Sequence, residues 1–176
     1  GIYWYELHLR YYKNGLVYAK LPFAFHTIGS SMAVTALAYC KQGGMNRRKA
    51  GEDFYFLQKF IDVGQLTELG RTKVIPSPRS SHRVPFGTGR AIQEMLDDRR
   101  EIKKSYNFQS FVILKECFKE VASWYENQPQ FHASLISFIG EHILSEKLEE
   151  IRKQSTSIER FKKRFFQWFN AFQVLK

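Results

Sequence analysis

Residues 50–60, AGEDFYFLQKF, are the stretch on which the interpretation of this sequence depends. Two adjacent carboxylates, Glu52 and Asp53, stand directly before apolar residues that recur every three or four positions. This pattern predicts an amphipathic helix that begins near Glu52 and ends at Gly64. Acidic side chains are favoured at a helix N-terminus by the free amides and the dipole, so local capping alone explains the pair. On that interpretation the preceding basic triplet, residues 47–49, is a solvated loop.

The chain around this helix, residues 1–90, carries frequent Gly, Pro and Ser punctuation. In segments 21–27 and 72–76, β-branched and apolar residues alternate or cluster, which is typical of strands. Residues 32–41, MAVTALAYCK, are predicted to form a strand that leads into a short helix, and Gly43-Gly44 ends it. We therefore expect a small sheet with flanking helices in this part of the chain.

Residues 91–176 contain few helix breakers, and their apolar residues repeat at helical spacing. The whole chain is thus expected to have an α+β fold, mostly helical overall, with a helical bundle after the sheet. The expected domains are an N-terminal lobe, residues 1–104, and a helical extension, residues 105–176. The predicted helices, besides those already given, cover approximately 4–12 (ending near Asn14-Gly15), 88–104, 108–125, 131–144 and 157–174.

Composition limits the classes of protein to be considered. The 176 residues are 44% hydrophobic and 16% aromatic, which favours a packed core over disorder. Cys40 and Cys117 lack metal-binding spacing and are expected to be buried, reduced thiols. No apolar run is long enough to cross a bilayer. The formal net charge of +10 predicts attraction to anions such as nucleic acid, a membrane surface or a phosphorylated substrate.

The order of motifs between residues 20 and 90 resembles the second half of family-two glycosyltransferases of the GT-A type. The shared features are a small-residue segment (residues 29–33), a Gly-Gly turn (Gly43-Gly44), and an acidic pair that opens a helix (residues 51–53). The resemblance implies an inverting enzyme that moves a hexose from a nucleotide-sugar to a glycan or lipid acceptor. It also implies a bacterial, cytoplasmic protein of surface polysaccharide synthesis, with the periphery of the inner membrane as an alternative location.

The same resemblance implies roles for individual residues. Asp53 becomes the general base that deprotonates the acceptor hydroxyl, and Glu52 orients the acceptor or the base. A divalent metal, Mg²⁺ or Mn²⁺, is expected in the full-length enzyme with His82 as a ligand, although a hydrogen-bonded loop histidine is the alternative. The residues implied in substrate binding are His26, Gly29, Ser30, Ser31, Arg79, Arg83 and Gly87. His26 has the further alternative of an ordinary strand-end residue.

Family-two enzymes hold the nucleotide on an N-terminal half that ends in a DxD pair, and this sequence contains no DxD. We therefore expect the nucleotide-binding half of the same protein to be the principal partner, and the chain alone to be inactive. The alternative is a basic helical domain that binds a membrane surface, a protein or, less favourably, nucleic acid without catalysis. Segment 157–176 suits that alternative, because it pairs an aromatic face with four closely spaced basic residues.

Overall fold

The structure is a computed structural model that describes residues 2–47, 51–75, 89, 93 and 105–175. Its α-helices, in chain order, are α1 (Ile2–Tyr18), α2 (Ala36–Lys41), α3 (Glu52–Asp62), α4 (Phe108–Phe118), α5 (Ala133–Ile139), α6 (Glu141–Lys153), α7 (Ile158–Trp168) and α8 (Ala171–Val174). Short 3-10 turns cover Gly29–Ser31 and Ser123–Tyr125. The predicted helix over 88–104 falls almost entirely outside the described residues.

The predicted sheet is wrong, because the described ranges contain helices and turns but no strand. The backbone is extended at Met32, the first residue of the segment 32–41 in which a strand was expected. An extended segment becomes a strand only when a neighbouring segment supplies the ladder of hydrogen bonds. Val74 and Ile75, in the predicted strand 72–76, are 53% and 85% exposed and so have no buried face either. The fold is therefore all-helical in the described part of the chain, and the α+β prediction is withdrawn.

Helix α1 is longer than predicted, because it passes through Asn14-Gly15 and ends at Tyr18. A glycine inside a helix costs about 1 kcal/mol relative to alanine, which is why Gly15 was expected to end it. Here a Cβ atom on Gly15 would lie only 2.5 Å from the Phe111 ring. Gly15 thus serves close packing, and the burial of Leu16 and Phe111 outweighs its poor helix propensity.

The chain divides into two compact units. The N-terminal unit consists of the residues up to Asn14 together with Ala24–Tyr106, and the C-terminal unit consists of Gly15–Phe23 with the residues from Asn107 onward. The boundary between the units falls inside α1, between Asn14 and Gly15, and this was not expected. The predicted domains, residues 1–104 and 105–176, remain a prediction about the whole protein.

The C-terminal unit has an aromatic core that the helical stripes predicted. Phe161 and Phe165 of α7 are fully buried, and Phe118 of α4 and Trp124 pack against Phe165. The predicted helix over 131–144 is interrupted at Gly140, whose φ of 96° separates α5 from α6. Such a backbone conformation strains any residue with a Cβ, so glycine marks the break.

The two cysteines differ in their environments. Both are free thiols, but Cys40 is exposed and only Cys117 is buried. Burial raises the pKa of the Cys117 thiol to about 11. The prediction of two buried thiols is therefore wrong for Cys40, because α2 buries none of its residues.

Across residues 2–47, 51–75 and 105–175, no helix combines the length and apolarity needed to traverse a lipid bilayer. This agrees with the short apolar runs of the sequence.

Candidate functional site

The candidate site lies where the 3-10 turn Gly29–Ser31 meets the N-terminus of α3 in the N-terminal unit. The backbone N–H of Gly29 donates a hydrogen bond of 2.9 Å to Oδ2 of Asp53. The N–H of Phe54 donates to the other carboxylate oxygen, Oδ1, at 2.7 Å. The structure therefore joins two motifs, 24 residues apart, to which the sequence assigned parts of one site.

Gly29 is required at this contact for steric reasons. A Cβ atom at residue 29 would lie 2.6 Å from Oδ2 and 2.7 Å from Cβ of Asp53, well inside van der Waals contact. Gly51, which precedes α3, has a left-handed backbone with φ of 74°, a conformation that glycine adopts without strain. Gly29 thus leaves room for the Asp53 carboxylate to approach the turn. Gly51 allows the chain to turn into α3 directly before the acidic pair.

Asp53 makes one contact within its own helix and one beyond it. Its bond to the Phe54 amide is local to the first turn of α3, whose N-cap residue, Gly51, has no side chain that could cap the helix. Its bond to Gly29 reaches a different segment, so it satisfies none of the free amide groups at the N-terminus of α3. A carboxylate offers about four acceptor positions, so two amide donors leave positions for a further hydroxyl donor. The side chain is half-buried, which fixes its orientation and keeps it within reach of a ligand.

The neighbours of this contact fit a site for a hydroxylated ligand. Ser30 and Ser31, directly after Gly29, are exposed, so their hydroxyl groups are available to form hydrogen bonds. Glu52 is half-buried in the first turn of α3, adjacent to Asp53. The structure brings Asp53 and Gly29 into contact, while the roles of Glu52, Ser30 and Ser31 remain predictions.

Lys59, further along α3, fixes the Gly43-Gly44 turn. Its Nζ donates to the carbonyl oxygens of Gln42 at 2.9 Å and Gly44 at 3.1 Å. Nearby, the rings of Tyr39 and Phe56 lie 5.4 Å apart, so α2 and α3 also share apolar contacts. The sequence places this lysine six residues after Asp53 but gives no sign that its ammonium group binds backbone carbonyls.

We expect Lys59→Met to lower the free energy of unfolding by about 1–3 kcal/mol, because two carbonyls lose a charged donor while the apolar stem is kept. Urea unfolding followed by circular dichroism measures the change. Lys41→Met, at an exposed position of α2, is the control and should change stability by less than about 0.5 kcal/mol. If both substitutions lowered the free energy of unfolding equally, Lys59 would not be the residue that holds the Gly43-Gly44 turn.

His26 belongs to a separate polar cluster in the same unit. Its backbone N–H donates to Oε1 of Glu68 at 3.4 Å, and Lys13 Nζ binds Oε2 of Glu68 at 2.5 Å. Burial, with Lys13, lowers the pKa of His26, so its imidazole is largely neutral at pH 7. Burial alone would raise the pKa of Glu68, but its bonds to Lys13 and the His26 amide outweigh this and lower it. The bond of His26 to Glu68 uses the backbone, so it does not depend on the imidazole, and contact of that side chain with a sugar remains a prediction.

Four predicted residues, Arg79, His82, Arg83 and Gly87, lie outside the described residues, so their proposed contacts remain predictions. Within residues 2–47, 51–75 and 105–175, no three histidine, cysteine or acidic side chains converge in a way that would hold a metal ion.

No protein family, no curated protein and no solved structure matches this chain. The functional interpretation therefore rests on the motifs of the sequence and on the geometry around Asp53.

Proposed function

We propose that this chain is the acceptor-side part of an inverting family-two glycosyltransferase, with Asp53 as the general base. The observation that carries the proposal is the hydrogen bond from Gly29 to Asp53, which unites the small-residue turn and the acidic helix start. The proposed reaction transfers a hexose from a nucleotide-sugar to a hydroxyl group of a glycan or lipid. The donor is assigned to a nucleotide-binding half of the same protein, and the setting to bacterial surface polysaccharide synthesis at the cytoplasmic side of the membrane.

The proposed chemistry needs a single well-placed carboxylate. The acceptor oxygen attacks the anomeric carbon as the bond from that carbon to the nucleoside diphosphate breaks, so the configuration inverts. Asp53 takes the proton that the acceptor hydroxyl releases, and the nucleoside diphosphate leaves with the electron pair of the broken bond. A proton acceptor fixed by two backbone amides is already oriented before the substrate arrives, which lowers the entropic cost of the step.

The rival interpretation is that Asp53 only stabilises the fold and that the chain binds a partner without catalysis. Both interpretations account for the two amide contacts of the carboxylate. They predict different results for a substitution that moves the Asp53 carboxylate without removing it. Catalysis is sensitive to a shift of about 1 Å, whereas binding of a partner elsewhere on the chain is not.

Gly29→Ala makes this displacement without removing the acid. The 3-10 backbone accepts alanine, but the new Cβ atom pushes the Asp53 carboxylate away. In the full-length protein we expect kcat to fall by about 10- to 100-fold. The measurement is nucleotide release from a panel of UDP-, GDP- and dTDP-hexoses in the presence of glycan and lipid acceptors.

Gly70→Ala is the matched control, because a Cβ atom at residue 70 meets no atom within 4 Å and kcat should not change. Transfer that is equal in Gly29→Ala and the unmodified protein would show that the Gly29–Asp53 contact does not position the base. Failure of the unmodified protein to act on any donor in the panel would count against the proposed function itself.

A further inference from the structure

Charge is strongly segregated along the last third of the chain. Residues 151–176 contain seven Lys or Arg residues and one acidic residue, Glu159. The preceding residues, 141–150, contain four Glu and a single Lys. In the structure, the basic residues are concentrated on α7 and the acidic ones on α6, and the two helices pack against each other in the C-terminal unit.

The apolar face of α7 is already used by the core. Phe161 and Phe165 are 0% exposed, and the Phe165 ring lies 5.4 Å from that of Trp124 and 5.7 Å from that of Phe118. The sequence alone suggested an interfacial helix that inserts aromatic rings into a membrane. That mode of binding is wrong for these rings, because insertion would require the core to open.

The opposite side of α7 carries Arg160, Lys162, Lys163 and Arg164, named here the basic face. All four residues are exposed. Arg164 donates to the side chain of Gln154 at 3.1 Å, and the Gln154 amide in turn donates to Glu150 of α6 at 3.3 Å, so Arg164 approaches one carboxylate through a neutral side chain. In the part of the chain that the structure describes, none of the four forms an ion pair, whereas Lys119 and Lys147 are paired with glutamates. Glu159, exposed in the first turn of the same helix, lies one turn before Lys162 and Lys163 and interacts electrostatically with Lys162. The basic face still carries four cations against this one carboxylate of its own helix, and this positive excess favours an external anion.

We propose that the basic face docks the protein on an anionic lipid surface through electrostatic attraction, without insertion of side chains into the bilayer. The four cations are spread around the solvent-facing side of α7, so a surface with many anionic headgroups can meet them together, whereas a single small anion cannot. A single-stranded nucleic acid fits less well, because it binds by stacking on exposed aromatic rings, and the Phe161 and Phe165 rings of α7 are buried.

The expected strength depends on the number of charges. Each basic residue close to an anionic membrane strengthens binding by about fivefold, so four residues together contribute a factor on the order of several hundred. This attraction is screened by salt, because the Debye length shortens from about 10 Å at 0.1 M to about 3 Å at 1 M ionic strength. Binding should therefore be selective for anionic lipid and should weaken steeply with added salt.

The test is co-sedimentation of the chain with vesicles of phosphatidylcholine containing roughly one-third phosphatidylglycerol, compared with vesicles of phosphatidylcholine alone. The variant Arg160→Gln/Lys162→Gln/Lys163→Gln/Arg164→Gln should lose at least about 100-fold in affinity for the anionic vesicles. The matched control removes four other exposed charges, Lys41→Gln/Arg47→Gln/Arg71→Gln/Lys73→Gln, and should retain most of the binding.

Three results would overturn the proposal: equal loss in both variants, binding by the unmodified chain that persists unchanged at about 0.5 M salt, or tighter binding to duplex or single-stranded DNA at equal phosphate concentration. Circular dichroism checks that the variants are folded, and Lys162→Gln/Lys163→Gln replaces the fourfold variant if it is not, with an expected loss of about 25-fold. The assay involves no nucleotide-sugar, so its outcome is independent of the proposed transferase activity.

Discussion

Asp53→Asn is expected to lower turnover of the full-length protein by about 10²–10⁴-fold, the range that a positioned general base contributes. Asparagine has nearly the same shape as aspartate, but its amide group does not accept the proton of an acceptor hydroxyl. KM for the nucleotide-sugar should change little, because Asp53 is proposed to act on the acceptor. The measurement is steady-state transfer with the best donor and acceptor found for the unmodified protein.

The substitution also affects the fold, and this effect is predictable. Asparagine has one acceptor oxygen, so it satisfies either the Gly29 or the Phe54 amide and turns its own N–H₂ group toward the other. We expect a loss of about 1–3 kcal/mol in the free energy of unfolding. Activity is therefore measured well below the unfolding midpoint, and circular dichroism confirms that the variant is folded.

Glu126→Gln, which neutralises an exposed carboxylate of the C-terminal unit, is the control for a general effect of charge. It should leave turnover unchanged. If a folded Asp53→Asn variant keeps its turnover within about twofold of the unmodified protein, the observed loss is far smaller than that expected of a general base. Asp53 would then have no part in the mechanism.

Phe165→Ala is expected to produce the largest loss of stability, about 3–5 kcal/mol, because it removes a fully buried ring and leaves a cavity. The ring is stacked with that of Phe169 at an interplanar angle of 11° and meets Trp124 edge to face at 84°. Favourable pairs of this kind add to the burial of apolar area. Native domains are stable by only about 5–15 kcal/mol, so the substitution removes a large part of the total.

Urea unfolding followed by tryptophan fluorescence measures this loss, since Trp124 reports on the same core. Phe138→Ala makes the same chemical change at a position that is 49% exposed, and it should cost less than about 1 kcal/mol. Comparable losses at the two positions would contradict the assignment of the Phe165 cluster as the core of the C-terminal unit.

Helices were the part of the fold that the sequence predicted best. The stripe of Phe161 and Phe165 in α7 recurs every four residues, and burial of one face is the direct consequence of that spacing. Capping signals were equally local: the side chain of Ser157 accepts a hydrogen bond from the Arg160 amide, and that of Asn107 from the Gln109 amide. These interactions span a few residues, so a short stretch of sequence contains all their partners.

Two of the failures involve partners that are distant along the chain, whereas the break of the predicted helix 131–144 at Gly140 is local. The extended backbone at Met32 agrees with the strand predicted to begin there, but a sheet also requires a second segment at hydrogen-bonding distance, which local propensity does not supply. Gly15 was taken as a stop signal because its packing partner, Phe111, lies far along the chain in α4.

By itself, the sequence determined the helix that begins at Glu52, the aromatic stripes and the excess of positive charge, because each is a matter of residue type and short-range spacing. Tertiary structure alone decided that the Asp53 carboxylate meets the Gly29 amide and that the Phe111 ring packs against Gly15 of α1. The physical reason is that hydrogen bonds and packing act over a few ångströms. Which residues come that close depends on how the whole chain is folded, and adjacency in sequence does not reveal it.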